Sequence, residues 1–139
     1  MKHIGYTLIR RSLMPNILII EDEAYLRKTW ARHLQRGDRV VRQAKDGREG
    51  IREMEKEQPD LVLLDLLMPH VDGFAVLKHI QEKVYTFPVI VLSNVVWHLD
   101  KEACENIGIS EYFIKSNLDI PALIGKVDEY LPAKSNKKM

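Results

Sequence analysis

Three short stretches constrain this chain more than anything else in it: Ile17-Leu18-Ile19-Ile20, Leu61-Val62-Leu63-Leu64 and Val89-Ile90-Val91-Leu92. Each is apolar without a break. A strand with one wet face alternates polar and apolar residues, whereas an unbroken apolar run too short for a helix suits a strand buried on both faces, as in the middle of a parallel sheet. Two weaker stretches join them, Arg39–Lys45 with Val40, Val41 and Ala44, and Tyr112-Phe113-Ile114.

Helical periods fill the gaps. Leu26, Trp30 and Leu34 recur at helical spacing. Asp46-Gly47-Arg48-Glu49 has the form of a capping box, with Ile51 and Met54 on one face behind it and Pro59 as a stop. Asp72 reads as an N-cap for a helix whose apolar face is Leu77, Ile80 and Val84. Leu99, Ala103 and Ile107 predict a fourth helix ended by Gly108. Ile120, Leu123, Ile124, Val127 and Leu131 predict a fifth, with Pro121 in its first turn. Five strands alternating with five helices give an α/β fold of (βα)5 type. Its parallel sheet is doubly wound, with right-handed crossovers covering both faces.

The 139 residues, 45% of them hydrophobic, are enough for one core. Residues 14–131 read as that single domain. Residues 1–13 form an extension with no evident place in the sheet, and Met14-Pro15-Asn16 reads as an alternative start. Residues 132–139 form a basic tail. The 21 basic and 20 acidic residues nearly balance, but Lys2, Arg10, Arg11, Lys134, Lys137 and Lys138 sit at the two ends with no acid among them. The body between is therefore net acidic, which argues against a sequence-specific nucleic-acid reader. Cys104, the single cysteine, excludes an internal disulfide. No apolar run approaches the roughly 20 residues of a membrane span, and Ile4–Ile9 is followed by Arg10-Arg11 rather than a cleavage site. The expected compartment is the cytoplasm, without membrane insertion.

Ligands of an open α/β sheet bind beyond the carboxyl ends of its strands. The first run ends in Glu21-Asp22-Glu23, the third strand in Asp65, the fourth in Ser93-Asn94 and the fifth in Lys115. Parallel strands bring all of these to one edge. Clustered carboxylates repel, so their protons or a cation must offset the field. Mg2+ prefers hard oxygen ligands and keeps several waters, so two carboxylates and a backbone carbonyl suit it. Such a site admits a phosphate dianion and leaves a carboxylate to attack phosphorus, as in aspartyl-phosphate chemistry. Ser93 and Lys115 are placed to hold phosphoryl oxygens. His33, His70, His79 and His98 are scattered, so a histidine metal site or phosphohistidine has little support. His70 is expected to face solvent.

The elements Ile17-Leu18-Ile19-Ile20-Glu21-Asp22-Glu23, Leu63-Leu64-Asp65-Leu66-Leu67-Met68-Pro69 with Asp72-Gly73, Val91-Leu92-Ser93 and Tyr112-Phe113-Ile114-Lys115 occur in this order over about residues 15–131. Together they resemble the receiver domain of two-component response regulators, in its stand-alone form. The resemblance implies a flavodoxin-like sheet with strand order 2-1-3-4-5. It implies that Asp65 is the phospho-acceptor, and that Asp22, Asp65 and the backbone carbonyl of Leu67 hold Mg2+, with Glu21 acting through water. Ser93 and Lys115 would hold the phosphoryl group, and Tyr112 would be an aromatic switch moving with Ser93. Expected partners are a sensor histidine kinase or histidine phosphotransfer protein, and a downstream protein met by the face of the fourth helix, fifth strand and fifth helix. The only catalysis implied is of the domain's own phosphorylation and dephosphorylation.

The sequence departs from that family where Ser116 follows Lys115 instead of proline and where Asn94 follows Ser93 instead of a small residue. A cis bond before a residue other than proline costs about 2.5–4 kcal/mol, so the Lys115–Ser116 bond is expected to be trans. These departures also admit an alternative, a receiver-fold interaction module working largely independently of phosphorylation. A hydrolase using Asp65 on outside substrates would want a second acid where Leu67 stands, and a flavin protein would not want an acidic loop after its first strand. Neither Leu67 nor Val95, which by the resemblance border the approach to phosphorus, orients a water. A long-lived phospho-form is therefore expected.

Overall fold

Unbroken apolar runs fold into strands here because both of their faces are covered. The structure, a computed structural model, describes residues 14–68, 70–94 and 108–131. Its elements run β1 Asn16–Ile20, α1 Ala24–Leu34, β2 Val40–Ala44, α2 Gly47–Lys56, β3 Leu61–Asp65, α3 Gly73–Glu82, β4 Val89–Ser93, β5 Glu111–Ile114, a short 3-10 turn Lys115–Asn117, and α4 Ile120–Tyr130. All neighbouring strands are parallel, in the order β2-β1-β3-β4-β5. The five strands and their order agree with the expected doubly wound sheet. The helix predicted over Leu99–Ile107 lies outside the described residues, as do Pro69, Val95, Trp97, His98, Cys104 and the segments 1–13 and 132–139.

Side chains of the sheet divide by parity between two cores. Leu18, Ile20, Val62 and Leu64 join Met54 of α2 and Val76, Leu77 and Ile80 of α3 on one face. Ile17, Ile19, Leu61 and Leu63 join Trp30 and Leu34 of α1 and Leu123 and Val127 of α4 on the other. Every residue of β1, β3 and β4 is buried. At about 1.5–3 kcal/mol for each large apolar side chain removed from water, these central strands hold the sheet ends in place.

Local signals set where the helices begin. Asp46 accepts the Glu49 N–H at 2.8 Å, and the Glu49 carboxylate reaches back to the Lys45 N–H at 2.7 Å, a capping box shifted by one residue. Asp72 accepts the Ala75 N–H at 3.1 Å. Gly73 follows because α3 starts against the end of β3: a Cβ there would lie 2.5 Å from the Asp65 carbonyl oxygen and from the Leu66 Cα. Pro121 lies in the first turn of α4. Val84 corrects the sequence reading. Its helical spacing places it on the buried face of α3, but the helix ends at Glu82, and Val84 takes a left-handed φ of 58° with 78% of its surface exposed.

Candidate functional site

The parallel order carries Glu21, Asp65, Ser93 and Lys115 to one edge of the sheet, each at or just past the end of its strand. Asp65 is the last residue of β3 and stands opposite Leu92, so Ser93 is one position further along the neighbouring strand. Ser93 in turn stands opposite Ile114, the residue before Lys115. Glu21, Asp65 and Ser93 are all buried, an uncommon setting for two acids and a hydroxyl.

Each carboxylate oxygen of Asp65 has its own donor. Oδ1 accepts the Leu67 N–H at 3.2 Å and Oδ2 faces the Lys115 Nζ at 3.3 Å. The same ammonium lies 3.0 Å from Oε1 and 3.3 Å from Oε2 of Glu21. Glu21 Oε2 also accepts the Glu23 N–H at 2.9 Å, while the guanidinium of Arg27 holds the Glu21 carbonyl at 2.8 Å. Glu21 thus stabilises the turn into α1 but is not its cap; Glu23 is, without a side-chain bond. One cation shared by two buried acids leaves negative charge in excess.

The titration of these groups follows from that imbalance. Burial pushes Glu21 up to about 7, the nearby charge of Asp65 adding to it and the bonds from Glu23 and Lys115 opposing it. Burial likewise raises Asp65 above the usual carboxylate value against the pull of Lys115. Burial would lower Lys115, but its bond to Glu21 and the charges of Asp65 and Glu21 hold it above the ordinary lysine value.

Asp22 completes the acidic set from the solvent side. One oxygen from each of Glu21, Asp22 and Asp65 lies within 4.8 Å of the others, Asp22 exposed and the other two buried. All the donors are hard oxygens, one side is open to water, and the acids are short of positive charge. This set fits a divalent cation of the Mg2+ kind. Leu67 lies at the rim with 55% of its surface exposed, and His70, at a left-handed φ of 66°, is exposed as expected.

Tyr112 stands opposite Val91, half-buried, with its side chain packed against the core on the α2 and α3 face. The peptide bond between Lys115 and Ser116 is trans, as expected; no cis bond occurs among the described residues. Two neighbours escaped the sequence reading. Trp30 is legible as core, yet the Lys115 Nζ lies over its ring, 5.9 Å from the centroid. The Asn94 Oδ1 accepts the Ser116 N–H at 2.7 Å, joining the two residues at which the motif departs from expectation. Helix packing and strand register, which sequence spacing does not reveal, bring these partners together.

Comparison with known proteins agrees with this geometry. Residues 17–128 match the family described as response regulator receiver domain. The chain is 31% identical over 99 residues to the alkaline phosphatase synthesis transcriptional regulatory protein PhoP of Bacillus subtilis, covering 71% of this chain and 41% of that protein. It is 30% identical over 124 residues to the response regulator ArlR of Staphylococcus epidermidis, covering 89% and 56% respectively. A protein-glutamate methylesterase/protein-glutamine glutaminase of Nitratidesulfovibrio vulgaris is 34% identical over 84 residues, 59% of this chain and 23% of that protein. The chain therefore spans at most little more than half the length of these relatives. In fold it is similar to the chemotaxis protein CheY4 of Vibrio cholerae, with a TM-score of 0.77 at 22% identity over 84% of this chain and 98% of that one. It is also similar to a CheY-like receiver domain protein of Methanospirillum hungatei, with a TM-score of 0.79 at 21% identity over 91% and 99%. With the acidic edge, the strand order and the family match in agreement, the chain belongs to the response regulator receiver domain family.

Proposed function

We propose that this receiver domain takes a phosphoryl group onto Asp65 from a phosphohistidine of a sensor kinase or phosphotransfer protein. The reading rests above all on the Asp65 carboxylate. It is buried at a strand end, held by a donor on each oxygen, and sits beside Glu21 and Asp22. A nucleophile fixed in this way spends little entropy in reaching phosphorus. As the bond from an Asp65 oxygen to phosphorus forms, the bond from phosphorus to the histidine nitrogen breaks, and the released imidazole takes its proton from solvent. Lys115, already beside Asp65, balances charge on one phosphoryl oxygen, and the Ser93 hydroxyl donates to another. Asp22, Asp65 and the Leu67 carbonyl would hold Mg2+, with Glu21 acting through water. When bound, the ion neutralises charge on the incoming phosphate and on the acids around it.

Output follows as a shift between two states, read by a partner protein. Tyr112 moves with Ser93 and alters the face formed by β5, the C-terminal helix and the segment of the predicted fourth helix. The net acidic body does not suit specific DNA recognition, so the working partner of residues 14–131 is a protein. Incubation with a small acyl phosphate and Mg2+, or with a phosphorylated kinase, tests the central step. Wild type should gain one phosphoryl group and Asp65→Asn none. Label that survives Asp65→Asn or chelation of the metal refutes the assignment. Equal affinity for a partner with and without the phosphoryl group would favour a phosphorylation-independent module instead.

A further inference from the structure

The sheet ladder between β4 and β5 ends at Ser93 opposite Ile114, yet the pairing runs one step further through a side chain. Just past the end of β4 the Asn94 Oδ1 accepts the Ser116 N–H at 2.7 Å. The peptide plane that carries this N–H also carries the Lys115 carbonyl, which accepts the Leu118 N–H at 3.3 Å and closes the 3-10 turn. The plane following Lys115 is thus held at both ends. Fixing it fixes the backbone angle from which the Lys115 side chain departs toward Glu21 and Asp65. Because Asn94 directly follows Ser93, the same bond ties the segment bearing the hydroxyl to the segment bearing the ammonium.

We propose that Asn94 and Ser116 form a positioning pair, in which the Asn94 carboxamide holds the Lys115–Ser116 peptide so that Ser93 and Lys115 meet the phosphoryl group at one fixed separation. This rests on the reading of Asp65 as the phospho-acceptor. Asn94 is exposed, so its bond to Ser116 adds little to the stability of the fold. Its value lies in geometry, since a small displacement of a charge-stabilising group costs far more in rate than in stability. The active element at position 116 is the backbone N–H, which proline would lack and alanine would keep.

The test uses the full chain, acetyl phosphate as donor with Mg2+, and amide hydrogen exchange of the unphosphorylated protein. In wild type the Ser116 amide is protected, and in Asn94→Ala that protection falls by about tenfold or more while the β1, β3 and β4 amides keep theirs. Asn94→Ala and Ser116→Pro each label roughly three- to tenfold more slowly than wild type, and the double variant no more slowly than the slower single one, since both remove the same bond. Ser116→Ala labels at the wild-type rate. Wild-type rates in Asn94→Ala, effects that multiply in the double variant, or slowing in Ser116→Ala equal to that in Ser116→Pro would each overturn the proposal. Should Ser116→Pro fail to fold, Asn94→Ala and the Ser116 amide still decide it. If wild type takes no label, the assignment of Asp65 fails first and the pair has no reaction to serve. Failure of the pair alone leaves wild type labelled on Asp65.

Discussion

The ammonium of Lys115 lies 3.0 Å from Glu21 and 3.3 Å from Asp65, so one largely buried cation is shared by two buried carboxylates. Removing one partner of a buried ion pair costs more than the pair contributes, because a charge is left behind without compensation. Lys115→Met should therefore destabilise the metal-free protein by about 1–3 kcal/mol near pH 8. It should do so less near pH 5.5, where Glu21 takes up a proton instead. Urea unfolding at the two pH values measures this. An equal loss at both would show that Lys115 acts through packing alone.

The metal-free protein should lose stability as pH rises from about 4.5 toward 7. Glu21 is raised from 4.5 to about 7, and Asp65 is raised as well. A carboxyl whose folded pKa lies above its unfolded one holds its proton more tightly in the native state. Its contribution is complete below the unfolded value and is lost as pH climbs through the folded one. On the proposed reading Mg2+ is held by the ionised acids of the native state, so millimolar Mg2+ should raise the melting temperature more near pH 8 than near pH 5.5. Equal shifts at both pH values would place the metal away from Glu21, Asp22 and Asp65.

Trp30 should report on the site from below. Its buried ring sits 5.9 Å from the Lys115 ammonium, close enough for the charge to perturb indole emission. In a Trp97→Phe variant, which keeps Trp30 as the only tryptophan, Mg2+ or an acyl phosphate should change the fluorescence intensity. Introducing Lys115→Met should remove most of that change. A response unaffected by Lys115→Met would mean that Trp30 senses something other than the ammonium.

The parts of this protein that sequence reveals are those in which one residue type answers to one local demand. Ile17–Ile20, Leu61–Leu64 and Val89–Leu92 suit doubly buried strands, and their polar ends then fall on one edge. Asp72 is legible for a similar reason, as the cap of α3. Val84 misleads because helical spacing continues past the point where the backbone stops being helical. The Trp30–Lys115 and Asn94–Ser116 contacts stay hidden because each joins distant segments through the packing and register of the finished sheet. Asn94 and Ser116 stand out in the sequence only as two separate oddities.

Loss of the phosphoryl group should be slow, and Leu67 is the residue to change to hasten it. Hydrolysis needs a water in line with phosphorus on the side away from Asp65. Leu67 lies at the rim of the site with an exposed apolar side chain that offers such a water no hydrogen bond. The Asn94 carboxamide oxygen is already engaged by the Ser116 N–H. Leu67→Asn supplies an amide at the rim and should speed decay of the phosphorylated protein by about tenfold, a change of roughly 1.4 kcal/mol in the barrier. Asn94→Ala should speed it less, by opening the approach without adding a polar group. Decay is followed by loss of label after removal of the donor and the kinase. Unchanged decay in Leu67→Asn would show that water reaches phosphorus by a path this residue does not border, and slower decay in Asn94→Ala would make Asn94 a participant in hydrolysis despite its bond to Ser116.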